Sequence, residues 1–337
     1  MLTLTVIFLL LCLFASLILN SAGFNRRCEG NENLKYFTAK DFDNLNALPV
    51  SFKSDKGQTL NGFYYTGARF SGNYKGLVVF SHGMGGGHLS YTTEINAIAQ
   101  RGFAVLAYDN TGTCSSEGKS LRGFAQGVID LKYAVEFAKQ GKYADLPLLL
   151  AGHSWGAYSV CNAAAITDPS NIKGILAFSP FDSVNKLICD TAKLKTKLNL
   201  SFLNPFFNVV NRVKFGKTGL LKSTETIASN QIPTLVMHGG NDMSVNISNS
   251  PAGLKNRIEA NKNARVIVYD NRMHNVYLSR EAEQYLNDIF TKTAALAPNS
   301  REAYEIYESI DYSLITKEDM SVMETALGFL EDCAGNL

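Results

Sequence analysis

Hydrophobic positions along the chain fall into distinct regimes. Residues 1–19 are apolar except for Thr3, Thr5 and Ser16. At about 1.5 Å of rise per residue, a helical run of this length just crosses a hydrocarbon core of ~30 Å. A retained membrane segment is expected, with a signal peptide cleaved near residue 22 as the alternative. The anchor is favoured because no Lys or Arg precedes the run and Asn20-Ser21-Ala22 is a poor cleavage site. From about Leu48 the pattern changes to short β-rich runs alternating with amphipathic stretches, the mark of an α/β fold with a mostly parallel sheet. Pro49 to Lys53 and Leu60 to Tyr65 flank the turn Ser54-Asp55-Lys56-Gly57 and predict an opening hairpin. Buried strands are predicted at 76–80, 103–108, 147–151, 174–178, 233–237 and 264–269. Helices are predicted near 91–101, 121–140, 155–166, 252–261 and 279–293.

Two stretches break the alternation. Residues 182–232 separate consecutive strands by some fifty positions, and an insertion that long is usually functional, here a helical cap. After residue 298 two further apolar stripes appear, Ala303, Ile306, Tyr307, Ile310 and then Met320, Met323, Leu327, Leu330, which predict helices docked on the body. The expected organisation is therefore an anchor or signal segment at 1–24, a linker at 25–47, a main α/β domain at 48–298 with the cap at 182–232, and a helical extension at 299–337.

Composition narrows the class without naming it. With 46% hydrophobic and 18% charged residues the chain is an ordinary folded protein of enzyme size. A net charge of +2 lacks the basic excess of a nucleic-acid binder. That total hides an asymmetry, because residues 299–337 carry nine acids against Arg301 and Lys317, a net −7 that leaves +9 elsewhere. The six cysteines, Cys12, Cys28, Cys114, Cys161, Cys189 and Cys333, lack CxxC spacing and are read as mostly free thiols. Neither a metal nor an organic cofactor is expected, and oligomeric state is open. Arg26 and Arg27, just past the apolar run, would hold the domain on the cytoplasmic side by the positive-inside tendency, whereas an export signal would place it outside.

Gly152-His153-Ser154-Trp155-Gly156 follows a predicted strand and precedes an Ala-rich helix. This is G-x-S-x-G in strand-turn-helix context, where the serine sits on a strained turn and its neighbours must lack side chains. A serine hydroxyl needs a base, and the base an orienting carboxylate. Of the five histidines, His153 adjoins the serine and is expected to point away from it. His82 and His238 open Gly-rich loops, and His88 lies beyond the first of these loops. His274, after the last strand, is the expected base. Asp242, five residues past the strand ending at Met237, is the expected acid, with Asp270 and Asp182 as lesser candidates. An oxyanion would need preplaced amides. The loop Ser81-His82-Gly83-Met84-Gly85-Gly86-Gly87 is expected to offer that of Met84, and Trp155 the second.

These residues together resemble the α/β-hydrolases of the serine aminopeptidase and monoacylglycerol lipase/lysophospholipase type. The likeness rests on His82-Gly83-Met84-Gly85, Tyr108-Asp109 with Gly112 and Gly118, Gly152 to Gly156, His238-Gly239 with Asp242 and Val245, and His274, over roughly residues 48–292. It implies Ser154 as nucleophile, His274 as base then acid, Asp242 as its orienter, and Met84 and Trp155 as oxyanion amides. One departure is local: Arg272 and Met273 stand where such proteins usually have a glycine shortly before the histidine.

The cap stretch holds eight Lys or Arg against Asp182, Asp190 and Glu225, a net +5, and an apolar cluster including Phe202, Phe206 and Phe207. The sharper expectation is a lid whose aromatics line an acyl pocket and whose lysines meet anionic lipid. The plainer one is a small helical core with a solvated face. The leading functional reading is hydrolysis of a carboxylic ester (an acyl-glycerol, a lysophospholipid or similar) through an acyl-serine. Alternatives are an aminopeptidase, which would want carboxylates near the pocket, an acyltransferase, or a non-catalytic tethered scaffold.

Overall fold

The computed structural model describes residues 1–70, 72–297 and 300–335. Its centre is an eight-stranded sheet. The strands are β1 (Leu45–Lys53), β2 (Thr59–Gly67), β3 (Leu77–Ser81), β4 (Ala104–Tyr108), β5 (Leu148–His153), β6 (Ile172–Phe178), β7 (Thr234–Gly239) and β8 (Ala264–Tyr269). They lie in the order β1-β2-β4-β3-β5-β6-β7-β8, antiparallel at β1–β2 and β2–β4 and parallel from β4 to β8. The chain order reverses around β3, whose neighbours are β4 and β5. That reversal opens a crevice beyond the strand ends where open α/β sheets bind ligands.

Alternation along each strand decides what covers each face. Val78 and Phe80 of β3 join one core with Val105, Leu149 and Leu176, whereas Leu77 and Val79 join the other with Leu106, Leu150 and Ile175. The first face is covered by α2 (Thr92–Gln100) and the second by α3 (Phe124–Ala138) and α4 (Trp155–Cys161). Because both faces are buried, the inner strands read as unbroken apolar runs. The opening hairpin is longer than predicted, pairing Leu45 with Gly67 through Lys53 with Thr59.

The stretch 252–261, predicted helical, is a run of turns with one 3-10 turn at Lys255–Arg257. Gly253 packs against the Ile247 carbonyl too closely for a side chain, and Asn261 Nδ2 is drawn to the Ile232 carbonyl at 2.9 Å. These local bonds outweigh the weak helical period. Between β6 and β7 the cap comprises α5 (Val184–Thr196) and α6 (Asn204–Phe215), followed by α7 (Ser223–Ala228), whose Ile227 belongs to the second core. The N-terminal run is one helix, α1 (Leu2–Phe24), long and apolar enough to cross a membrane.

Past β8, α8 (Arg280–Ala294) is capped by Ser279 Oγ, which accepts from the Ala282 N–H at 3.1 Å. The acidic tail folds as α9 (Arg301–Glu308), α10 (Tyr312–Ile315) and α11 (Met320–Gly335). α11 inserts Val322, Met323, Leu327 and Leu330 into the first core, while Met320 of the same stripe stays exposed. It lies so close to β6 that a Cβ on Gly174 would sit 2.6 Å from Cys333 Sγ. Its acids meet bases of the sheet body, Glu324 with Arg101 and Glu331 with Lys75 and Arg101, and not those of the cap. Leu330 is wholly buried, so Leu330→Ala is expected to cost about 2–5 kcal/mol. Chemical denaturation checks this, and a loss below about 1 kcal/mol would mean that α11 docks only loosely.

Candidate active site

Ser154 lies between the end of β5 and the start of α4, with φ +54° and ψ −112°. Such a conformation costs about 1–3 kcal/mol in a residue with a side chain and persists only where its surroundings enforce it. They do so here. The Ser154 N–H donates to the Phe178 carbonyl at 2.9 Å, continuing the β5–β6 ladder by one residue. Gly156 presses on the Ser81 carbonyl of β3, where any Cβ would collide with backbone. A side chain is thus excluded just where the motif places glycine.

Asp242 and His274 come together at 2.7 Å, Asp242 Oδ2 to His274 Nδ1. The other carboxylate oxygen of Asp242 accepts the Ser244 and Val245 N–H groups, both at 2.8 Å. Burial raises the carboxyl's pKa, but the His274 contact, the Val245 N–H and nearby His238 outweigh it and hold Asp242 below the usual carboxylate range. The lesser candidates lie elsewhere. Asp182 accepts from Thr224 N and Oγ1 at the start of α7, and Asp270 is exposed after β8.

Ser154 and His274 face one cavity of about 350 Å³, shared with Gly83, Met84, Met243 and Phe290. Ser154 Oγ makes no hydrogen bond among the described residues; a base–nucleophile contact of this type commonly tightens only when substrate is bound. The backbone N–H groups of Met84 and Trp155 likewise donate to no protein acceptor among the described residues. Trp155 is the first residue of α4, so its N–H has no helical partner. Its indole is spent elsewhere, donating to the Phe124 carbonyl at 2.8 Å.

His153 turns toward the site, not away from it. Its ring lies 4.6 Å from that of His274, and its Nε2 is 3.1 Å from the His274 carbonyl, which also accepts from Ser179 Oγ at 2.7 Å. Nδ1 is 2.9 Å from the Tyr91 hydroxyl, and that oxygen accepts the Gly83 N–H at 3.1 Å. A single tautomer satisfies this chain: Nε2 carries the proton and donates to the carbonyl, while Nδ1 accepts from Tyr91. Burial, with His274 alongside, pushes the His153 imidazole down to about 3, so it is neutral. The network ties the Met84 loop to the His274 loop.

The Arg272-Met273 departure has an account as well. Arg272 is buried, its Nε 3.2 Å from Glu283 Oε2 and its Nη1 2.7 Å from Asp319 Oδ2, and Glu283 Oε2 also accepts the Met273 N–H at 3.0 Å. A salt-bridged arginine, completed by the tail, holds this loop in place of glycine flexibility. The contacts of Tyr91, His153, Ser179 and this cluster were not legible in the sequence because they depend on side-chain direction across separate elements.

The aromatics expected to line the acyl pocket do not reach it. Phe207 is buried against Cys12 of α1 with Cys189 and Leu203, Phe206 packs on the same cluster, and Phe202 is exposed beside α1. The cap turns these side chains outward because α1 offers them an apolar partner. A second cavity of about 430 Å³ adjoins the first, sharing Met84, Tyr91, Asn275, Leu286 and Phe290. Its wall includes Glu94, buried and without a cationic partner among the described residues. Burial raises Glu94 to about 7 and, with Glu94 beside it, Glu318 of the tail to about 9. Among the described residues no three His, Cys, Asp or Glu side chains converge as a metal site.

Residues 72–219 match the family model of the serine aminopeptidases. Similar solved structures include an esterase from Pyrococcus furiosus, 19% identical with a TM-score of 0.58 over 80% of this chain and 97% of that one. Est1E from Butyrivibrio proteoclasticus is 17% identical with a TM-score of 0.54, covering 85% of this chain and 99% of its own. An acylaminoacyl peptidase from Pyrococcus horikoshii is 15% identical with a TM-score of 0.53, over 79% of this chain and 44% of that protein. No curated protein matches this sequence. With the mostly parallel sheet and the G-x-S-x-G turn, these findings show that the chain has the α/β-hydrolase fold.

His153 provides a check of the site's wiring. Its folded pKa lies below the unfolded value of 6.5, so the unfolded chain binds the extra proton and stability falls as pH drops from about 6.5 toward about 3. His153→Gln is expected to be less stable at neutral pH and to lose less on acidification through that window. Parallel pH dependence of the two unfolding free energies would refute the assignment.

Proposed function

We propose that the protein is a serine hydrolase that cleaves a carboxylic ester through an acyl-serine intermediate. The observation that carries this reading is the 2.7 Å Asp242–His274 pair, whose histidine shares a cavity with a strained Ser154 and with Met84, together with the unused backbone N–H groups of Met84 and Trp155. Ser154 Oγ attacks the acyl carbonyl while His274 Nε2 takes its proton, and Asp242 holds His274 Nδ1–H and stabilises the imidazolium. The oxyanion accepts from Met84 and Trp155, donors worth ~2.7–4 kcal/mol each in comparable sites. Collapse expels the alcohol with the proton from His274. Water, deprotonated by the same nitrogen, then releases the carboxylic acid and restores Ser154. Met84, Met243, Leu286 and Phe290 provide an apolar wall suited to an acyl chain such as that of an acyl-glycerol or lysophospholipid. α1 places this chemistry at a membrane.

Ser154→Ala is expected to abolish labelling by a fluorophosphonate probe and to lower turnover of nitrophenyl esters by ~10⁴-fold or more. Unchanged labelling or turnover in that variant would refute the assignment of Ser154 as nucleophile.

One observation favours a second reading, a peptidase that takes a free amine. The uncompensated Glu94 lines the adjoining cavity and supplies there a carboxyl group that the cap lacks. If amine recognition occurs there, Glu94→Gln will raise KM for aminoacyl anilides about tenfold or more, equivalent to ~1.4 kcal/mol, and leave neutral esters unaffected. Equal effects on both substrate types would dismiss it.

A further inference from the structure

α1 does not stand clear of the protein along its length. Residues 1–11 are exposed, whereas Cys12, Ser16, Asn20 and Phe24, one per turn, are buried. Leu203, Phe207 and Cys189 of the cap cover Cys12. Amides continue the contact: Asn20 Nδ2 donates to Asn211 Oδ1 at 3.3 Å, Asn211 Nδ2 to Asn185 Oδ1 at 3.0 Å, and Asn185 Nδ2 to Asn208 Oδ1 at 2.6 Å. Such a network specifies one register between α1, α6 and α5. At the far end Phe24 packs edge-on against Phe124, 4.9 Å between centroids, beside Trp155.

The free part of α1 is therefore only about 15 Å long, half of a ~30 Å hydrocarbon core. The other half packs along one face, through Cys12, Ser16, Asn20 and Phe24, on cap helices that carry or adjoin the exposed Lys193, Lys195, Lys197 and Arg212, while Phe14, Leu17 and Ile18 stay exposed on its other face. Crossing the bilayer completely would draw these charges into the lipid interior, where they are costly. The same helices carry an apolar face that no protein element covers. α6 buries Phe207, Val210 and Phe215 on one side, yet Val209 is 50% and Val213 84% exposed on another, and the cap also exposes Phe202 at 56%, Leu194 and Leu198. Apolar side chains at helical spacing, fringed by lysines that can reach headgroups, are the pattern of an interfacial surface.

We infer that the protein is monotopic: α1 enters a single leaflet, and the cap face formed by Leu194, Leu198, Phe202, Val209 and Val213 rests in that leaflet with it, its lysines among anionic headgroups. The anchor is then part of the cap, and its inner end holds the Trp155 side of the site toward the lipid. This builds on membrane attachment through α1 and is independent of the chemistry at Ser154.

The test uses the full chain bound to mixed phosphatidylcholine–phosphatidylglycerol vesicles. Thr3→Cys reports the helix tip, through a membrane-impermeant maleimide trapped inside or added outside, read against the unsubstituted chain. Val209→Cys and Val213→Cys, carrying an environment-sensitive fluorophore, report the cap through quenching by spin-labelled lipid. The expected result is no added labelling at position 3 from either side until detergent is added, with both cap positions quenched. Labelling of position 3 by the trapped reagent would establish a span and overturn the one-leaflet geometry. Unquenched cap positions with the protein still bound would overturn the cap's part in it. Absence of vesicle binding would overturn membrane attachment itself.

Discussion

The close approach of Gly156 to the Ser81 carbonyl is the constraint on which the rest of the site depends. It lets α4 begin directly above β3, which forces Ser154 into a left-handed conformation and leaves the Trp155 N–H, at the first position of the helix, without an acceptor among the described residues. The Met84 loop leaves the same strand, β3, and lines the cavity that Ser154 faces. One backbone contact therefore fixes the turn that carries the hydroxyl, next to the Met84 loop. Its cost in strain is borne by the buried parallel ladder from β3 to β6, which has no freedom to relax.

Around that contact the molecule spends buried polar groups on holding loops, not on building its core. His153 links Gly83, Tyr91 and the His274 carbonyl, and Arg272 links Glu283 to Asp319. Each bridge crosses between elements distant in sequence. The tail is thereby part of the machinery: α11 closes the first core, and the residue just before it completes the ion cluster beneath the His274 loop. The asymmetry of charge has a related origin. Tail acids meet Lys75, Arg101 and Arg272 on the body, so the cap keeps its basic excess, with Lys186 and Lys222 paired only to the cap's own Asp190 and Glu225.

Sequence alone determined the features that depend on short-range covalent order. The inner strands were legible because residues buried on both faces must be apolar without interruption. Ser154 was legible because a strained turn excludes side chains at its two flanks, and Asp242 and His274 because each follows directly on a strand of the sheet. Local order also misled where its signal was weak: the helical period of 252–261 lost to a glycine packed on a carbonyl and to asparagine side chains seeking backbone partners. What only the tertiary structure decided was the direction of side chains between elements. His153 faces His274 because β5 ends beside β6 and the loop after β8. Phe202, Phe206 and Phe207 face α1 because an apolar helix occupies that side of the cap. Glu94 and Glu318 meet because the tail returns to α2 more than two hundred residues after leaving it. Such encounters leave no periodicity along the chain; they are set by how its layers pack.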